Sequence, residues 1–281
     1  MVTDAKAPAV WQRYVTDIQQ RADLESAEYR AATTPPAANA RAAIILVTAA
    51  IALTVLNFGA TTEPTWFVSL LEAVRLDQFA ERAQQTFFVS DNAQLNSLMF
   101  WGFMQVFSYV AIPIAVIKLV LRERVSVFGT GVRGIRPHAG TYVALFALAV
   151  PFVALASTTS AFQAKYPFYD LTAGDSLWPN MWIWWIFYAA QFVALEFFFR
   201  GFLIHGLKGR FGYMAIFVMI VPYNMLHFTK PVTEALAAIF GGYVLGSLSL
   251  KTRSIWWGAA LHVAVAGTMD VLALIQKDLL W

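Results

Sequence analysis

Glu196 and Arg200 stand four residues apart in the run Glu196-Phe197-Phe198-Phe199-Arg200-Gly201, inside a stretch apolar enough to cross a membrane. Residues i and i+4 share one face of a helix, so carboxylate and guanidinium can pair there. A charge at mid-bilayer depth costs from roughly 3 to more than 10 kcal/mol by different measures, so such residues are rare without a use. Two readings of the pair stand: a salt bridge that locks helices together, or a general base or polar clamp set by the arginine. Two histidines in later apolar segments, His227 and His262, add groups able to move protons near neutral pH. A carboxylate and two imidazoles suffice to activate water. They also suffice for a three-ligand metal site with one open position, in which Glu196, His227 and His262 would be the ligands of a divalent metal such as zinc, though no metal is required.

Depth along the helices allows these groups to share a cavity. At a rise of ~1.5 Å per residue from the nearest inner basic residue, Glu196 lies about 18 Å in, His227 about 25 Å, His262 about 14 Å and Asp270 about 25 Å. Asp270 follows His262 by two turns on one face and reads either as a partner in the site or as an outer-end residue reaching water. Tyr223 precedes His227 by four, in a span interrupted by Pro222. His205 and His138 fall near inner boundaries, where solvation is expected. Ala238, Gly242 and Gly246 repeat at a four-residue spacing that lets a neighbouring helix approach closely.

Other hydrolytic chemistries lack their residues. There is no H-E-x-x-H run, no glycine-framed serine with a histidine partner, no pair of intramembrane aspartates and no phosphate-binding loop. Cysteine is absent, which removes thiolate nucleophiles and disulfides.

The elements that must position these residues follow from composition. Of 281 residues 59% are hydrophobic and 13% charged, against about 45–50% and about 25% in soluble domains. The chain reads as an all-α, polytopic membrane helical bundle with about seven transmembrane helices, near 42–60, 95–121, 141–158, 181–207, 213–228, 235–250 and 255–274. With the N-terminus in the cytoplasm and the C-terminus outside, thirteen Lys and Arg fall on inner pieces and five on outer ones, as the positive-inside bias requires. A plasma membrane location, in a bacterium, follows as an expectation. The net charge of +3 is too small and scattered for nucleic acid. The partners expected are the lipid bilayer and a membrane-anchored protein or peptide.

Residues 1–41 form a cytoplasmic segment without the apolar core of a signal peptide, so the first span is expected to target the chain. Within it Trp11, Tyr14 and Ile18 share a helical face, which suits either the membrane surface or packing on the bundle. Trp66, Phe67, Leu70, Leu71 and Val74 make a similar stripe after the first span. Trp178, Trp182, Trp184 and Trp185 crowd one end of the fourth span, a level that tryptophan favours. Residues 42–158 are then the N-terminal transmembrane helices and 159–180 an outside loop.

Taken in order, Glu196-x3-Arg200-Gly201, Tyr223-x3-His227 and His262 resemble the motifs of the CPBP intramembrane proteases, the CAAX-protease and bacteriocin-processing (Abi) family. The family's patterns are E-E-x-x-x-R, F-x-x-x-H and H-x-x-x-N/D, and the resemblance covers a core at about 181–275. It implies an intramembrane endopeptidase. A first-motif glutamate and the second-motif histidine activate water, and the third motif stabilises the oxyanion. The family has been described as both metallo- and glutamic-type, so a metal is allowed and not required.

The chain departs from the pattern in three places. Leu195 stands where the first, catalytic glutamate belongs, Ala266 where the third motif has Asn or Asp, and Tyr223 where the second has Phe. Losing one oxyanion donor typically costs about 100- to 1000-fold in rate. Three readings follow: a divergent protease with Glu196 as base and Asp270 replacing the missing partner, an inactive scaffold or substrate-binding relative, or a proton- or ion-coupled transporter.

Overall fold

The computed structural model describes residues 12–171 and 177–279. Among these the chain is helical throughout, with one isolated antiparallel bridge between Thr130 and Ser254 in place of any sheet. The long elements are α1 (Asp17–Ala32), α2 (Pro35–Gly59), α3 (Thr65–Ala73), α4 (Asp77–Gln84), α5 (Ala93–Val120) and α6 (Arg136–Ser157). They continue with α7 (Asn180–Glu196), α8 (Gly206–Phe211), α9 (Ala215–Met225), α10 (Val232–Thr252) and α11 (Trp256–Gln276). This is a polytopic all-α membrane protein.

Among the described residues six stretches are long and apolar enough to span. The expected fourth and fifth spans both fall in one of them, the 46 residues Asn180–Met225. A straight helix of that length would measure about 69 Å, twice the hydrocarbon thickness. The chain breaks it at Gly212, whose φ of +56° leaves the helical region. Glycine reaches positive φ at no steric cost, and Asp23 Oδ1 then accepts the N–H of Tyr213 at 2.9 Å.

Helices divide between two compact units. The first comprises residues 1–49, 116–136 and 196–258. Its core is apolar and aromatic, with Phe198, Phe199, Phe202, Ile204 and Met219 fully buried. Helix α1 buries Ile18, Ala22 and Ser26, and Ser26 Oγ donates to the Gly209 carbonyl of α8 at 3.0 Å. The Ile18 face is therefore bundle packing, the second of its two expected uses, while Trp11 lies outside the described residues. Glu25 holds Lys208 at 3.0 Å and also Arg253. The turn after α5 is pinned by its carbonyls: Gly129 accepts from Ile255 N–H at 2.9 Å, Gly131 from Ser254 Oγ at 2.7 Å and Ile135 from the Trp257 indole at 2.9 Å.

The second unit comprises residues 50–115, 137–195 and 259–281. Trp66 and Phe67 of α3 join Phe87 and Phe100 in one aromatic cluster. The larger core gathers Leu95, Leu98, Met181, Trp184, Tyr188, Ala266 and Leu274. Residues of the 159–180 segment close it, with Phe162 and Tyr166 packed on Ala273. Trp178 and Trp182 are exposed, while the Trp184 ring is wholly buried in this core.

Candidate active site

Two groups of motif residues are built, one in each unit. In the first, helix α7 ends at Glu196 and passes into nine residues of wider, π-type turns, Phe197–His205. Such turns are uncommon and often mark functional sites. All nine residues are buried, because each of Phe197, Phe198, Phe199, Phe202, Leu203 and Ile204 enters the core. Gly201 completes the segment by necessity: a Cβ there would stand 2.8 Å from the carbonyl oxygen of Phe128.

Glu196 and Arg200 are both 0% exposed and paired, Nη1 to Oε1 at 3.0 Å. Pairing is what burial of two charges requires. The guanidinium also lies over the Tyr223 ring, 4.3 Å from its centroid. A desolvated cation on an aromatic face is stabilised by about 2 kcal/mol or more. Phe199 meets the same ring edge-on at 5.2 Å. Tyr223 reaches this place because Gly242 of α10 has no side chain: a Cβ would stand 3.3 Å from Tyr223 Cδ1 and 3.2 Å from Ile220 Cγ1. Gly246 admits Ile204 and Ile216 in the same way, so the small-residue seam of α10 receives the site's own helices.

His227 lies two residues beyond the end of α9, half-buried. Its ring packs on Tyr223 at 5.1 Å and its Nδ1 meets the Tyr223 carbonyl oxygen at 3.1 Å. A carbonyl only accepts, so Nδ1 carries the proton in this contact and Nε2 is the basic nitrogen. The structure thus joins Glu196, Arg200, Tyr223 and His227 into one chain of contacts. Gly258, in the first turn of α11, closes it from another side: a Cβ there would lie 2.8 Å from Glu196 Oε2.

His262 and Asp270 belong to the second unit. His262 stacks on Phe192 with centroids 4.8 Å apart and planes at 22°. Phe192 follows Tyr188 at 4.9 Å, and Tyr188 follows Trp184 at 4.7 Å, a ladder of i,i+4 rings along α7. The ladder's other end is Asp270, whose Oδ2 accepts from the Trp184 indole at 3.1 Å and the Trp185 indole at 3.2 Å. Asp270 is 0% exposed, so it is not an outer-end residue reaching water. Ala266 packs in the core beside this ladder, and Leu195 is buried one residue before Glu196.

His205 also departs from expectation. It is buried rather than solvated, with Nε2 3.0 Å from Ser249 Oγ and its ring against Gly129. The segment's run of core side chains draws it inward, and a serine on α10 supplies the partner that burial demands. His138, at the start of α6, is half-buried. Among the described residues no three His, Asp or Glu side chains are grouped to hold a metal ion.

Three contributors were missed from the residues alone. Gly258 precedes His262 by four and shares its face, the one signal it offers. Trp184 and Phe192 lie four either side of Tyr188, a spacing that marks a common face rather than an interfacial belt.

Compared with known proteins, no curated protein and no solved structure matches the chain. Residues 177–268 match a family described as Type II CAAX prenyl endopeptidase Rce1-like. The match begins before α7, contains Glu196, Arg200, Tyr223, His227, His262 and the departures at Leu195 and Ala266, and stops two residues short of Asp270. Motif order and family match thus agree on one conclusion: over about a third of its length this membrane protein is similar to the Rce1-like type II CAAX prenyl endopeptidases, in the CPBP family.

Proposed function

We propose that the protein is an intramembrane endopeptidase that hydrolyses a peptide bond of a membrane-associated protein or peptide. The observation that carries this reading is the chain Glu196–Arg200–Tyr223–His227, built within one unit from two motifs of the matched family. In this reading His227 takes a proton from water through Nε2, its orientation fixed by the Tyr223 carbonyl. Glu196 shares the water's activation in place of the glutamate absent at Leu195, and Arg200 holds its carboxylate in position. His262 matches the histidine of the family's third motif, the position that the resemblance gives to the oxyanion, whose stabilisation usually contributes most to acyl-transfer catalysis. Asp270 acts at a distance, fixing α11 through Trp184 and Trp185.

One observation favours a second reading, a protein that binds such substrates without cleaving them. Glu196 has no exposed surface and is already ion-paired, while the catalytic glutamate position holds Leu195. Purified protein in vesicles, given membrane-anchored fluorogenic peptides, separates the two. Cleavage lost in both Glu196→Gln and His227→Ala supports the protease. Cleavage that survives in both removes this site. Peptide that co-purifies uncleaved with wild type, and is cleaved only after Leu195→Glu, establishes the binding reading.

A further inference from the structure

The C-terminal end of α10 carries a cavity that no motif residue touches. It has a volume of about 220 Å³ and lies between the first turns of α1 and the last turn of α10, lined by Arg13, Asp17, Arg21, Glu25 and Lys251 over a floor that includes Ile18. Water needs only about 10–15 Å³ of such space, so a larger polar group fits.

Charge in and around this cavity is unbalanced toward the positive. Glu25 is the shared partner of three cations, Arg21 at 3.3 Å, Lys208 at 3.0 Å and Arg253. Lys251 and Arg13 converge on one ring: Lys251 Nζ stands 3.7 Å from the Tyr14 centroid and the Arg13 guanidinium 5.7 Å from it. Lys251 is further fixed by donating to the Arg13 carbonyl at 3.1 Å. Five cations thus gather with two carboxylates, Asp17 and Glu25. The level of the cavity is set by Lys251, the penultimate residue of the candidate span Val232–Thr252. A lysine there sits at the membrane surface, where lipid phosphates lie.

We infer that this cavity binds the phosphate-bearing headgroup of an anionic phospholipid, which bridges Arg13, Arg21 and Lys251 and fastens α1 to the end of α10. Near an anionic membrane each basic residue adds attraction on the order of 1 kcal/mol, but a diffuse surface effect depends on charge alone. A built site depends on which charges are removed. This inference stands apart from the proposed proteolytic activity and survives its failure.

The test places the full-length protein in phosphatidylcholine vesicles containing spin-labelled phosphatidylglycerol and measures the immobilised lipid fraction. Arg13→Gln with Lys251→Gln is expected to lower the relative association constant by about tenfold. Arg133→Gln with Arg136→Gln, which removes equal charge at exposed positions elsewhere in the same unit, is expected to leave it within about twofold. An equal fall in both pairs, or none in the first, overturns the site. Glu25→Gln frees its cations and is expected to raise the association, a sign that loss of fold cannot mimic; a fall there also overturns it. Inorganic phosphate is compared with chloride at equal ionic strength. Specific displacement by phosphate would make the ligand a soluble anion and overturn the lipid assignment.

Discussion

Asp270 accepts the indole N–H of Trp184 at 3.1 Å, and eight residues away on each helix Phe192 stacks on His262. The steps run in opposite directions, so α7 and α11 pack antiparallel with their registers matched over two turns. A carboxylate bound to two indoles therefore sets the height of a catalytic-motif histidine that it does not touch. Asp270→Ala strands the buried Trp184 N–H, at a cost of about 1–3 kcal/mol, and removes the acceptor of the part-buried Trp185 N–H. The expected result is a lower unfolding midpoint, shifted tryptophan emission and reduced cleavage. Asp270→Asn keeps an acceptor and is expected to retain more of all three.

The clasp between α1 and the bundle has a pH signature. Burial raises the Glu25 carboxyl, but hydrogen bonds and charge from Lys208 and Arg253 outweigh it and draw the pKa down from 4.5 to about 2. A depressed folded-state pKa gives stability that is complete above the ordinary value and disappears as pH falls through the lower one. The difference in unfolding midpoint between wild type and Glu25→Gln is therefore expected to be constant above about pH 5 and to shrink steadily toward pH 2. A difference that instead grows on acidification would show that Glu25 does not hold the clasp.

Much of this was legible in the residues. Apolar runs long enough to span, with basic residues between them, fix an all-helical membrane protein, and the four-residue spacing of Glu196 and Arg200 fixes their pairing. What stayed hidden depends on contacts between distant positions. Gly258 touches Glu196 across 62 residues of sequence, and nothing local to a glycine in an apolar helix announces a carboxylate beside it. Trp184 stands among other tryptophans at a span's end, yet it finds a buried acceptor 86 residues away. His205 was placed by distance to a basic boundary, a measure blind to the serine on α10 that lets it be buried. The fourth and fifth spans read as separate segments, but Gly212 joins them by a turn within one helical stretch.

Tyr223 carries the arginine on its face only while α10 stays close. Gly242→Val introduces a Cβ at 3.2–3.3 Å from Ile220 and Tyr223 and two further methyls beyond it. Overpacking of this kind costs about 1–3 kcal/mol. Because the displaced ring supports both Arg200 and His227, cleavage is expected to fall further than stability does. Gly241→Val, one position away with open space around it, is the control and is expected to change neither.

The same steric logic tests whether Glu196 is held where the structure places it. Gly258→Ala would put a methyl 2.8 Å from Glu196 Oε2, and the carboxylate is locked by Arg200 with no exposed surface into which to retreat. The substitution is expected to cost about 1–3 kcal/mol in wild type. In a Glu196→Ala background the obstructing oxygen is gone, so the same methyl is expected to cost almost nothing. Both sides of that second comparison lack the Glu196 carboxylate, so the penalty of removing one member of a buried ion pair, about 3–5 kcal/mol, cancels. The cycle's coupling energy then reports the Gly258–Glu196 contact itself, and residues in contact couple by about 0.5–3 kcal/mol. A coupling near zero would mean that α11 does not close on Glu196. If Gly258→Ala also lowers kcat while KM is unchanged, the contact positions the Glu196 carboxylate for the reaction.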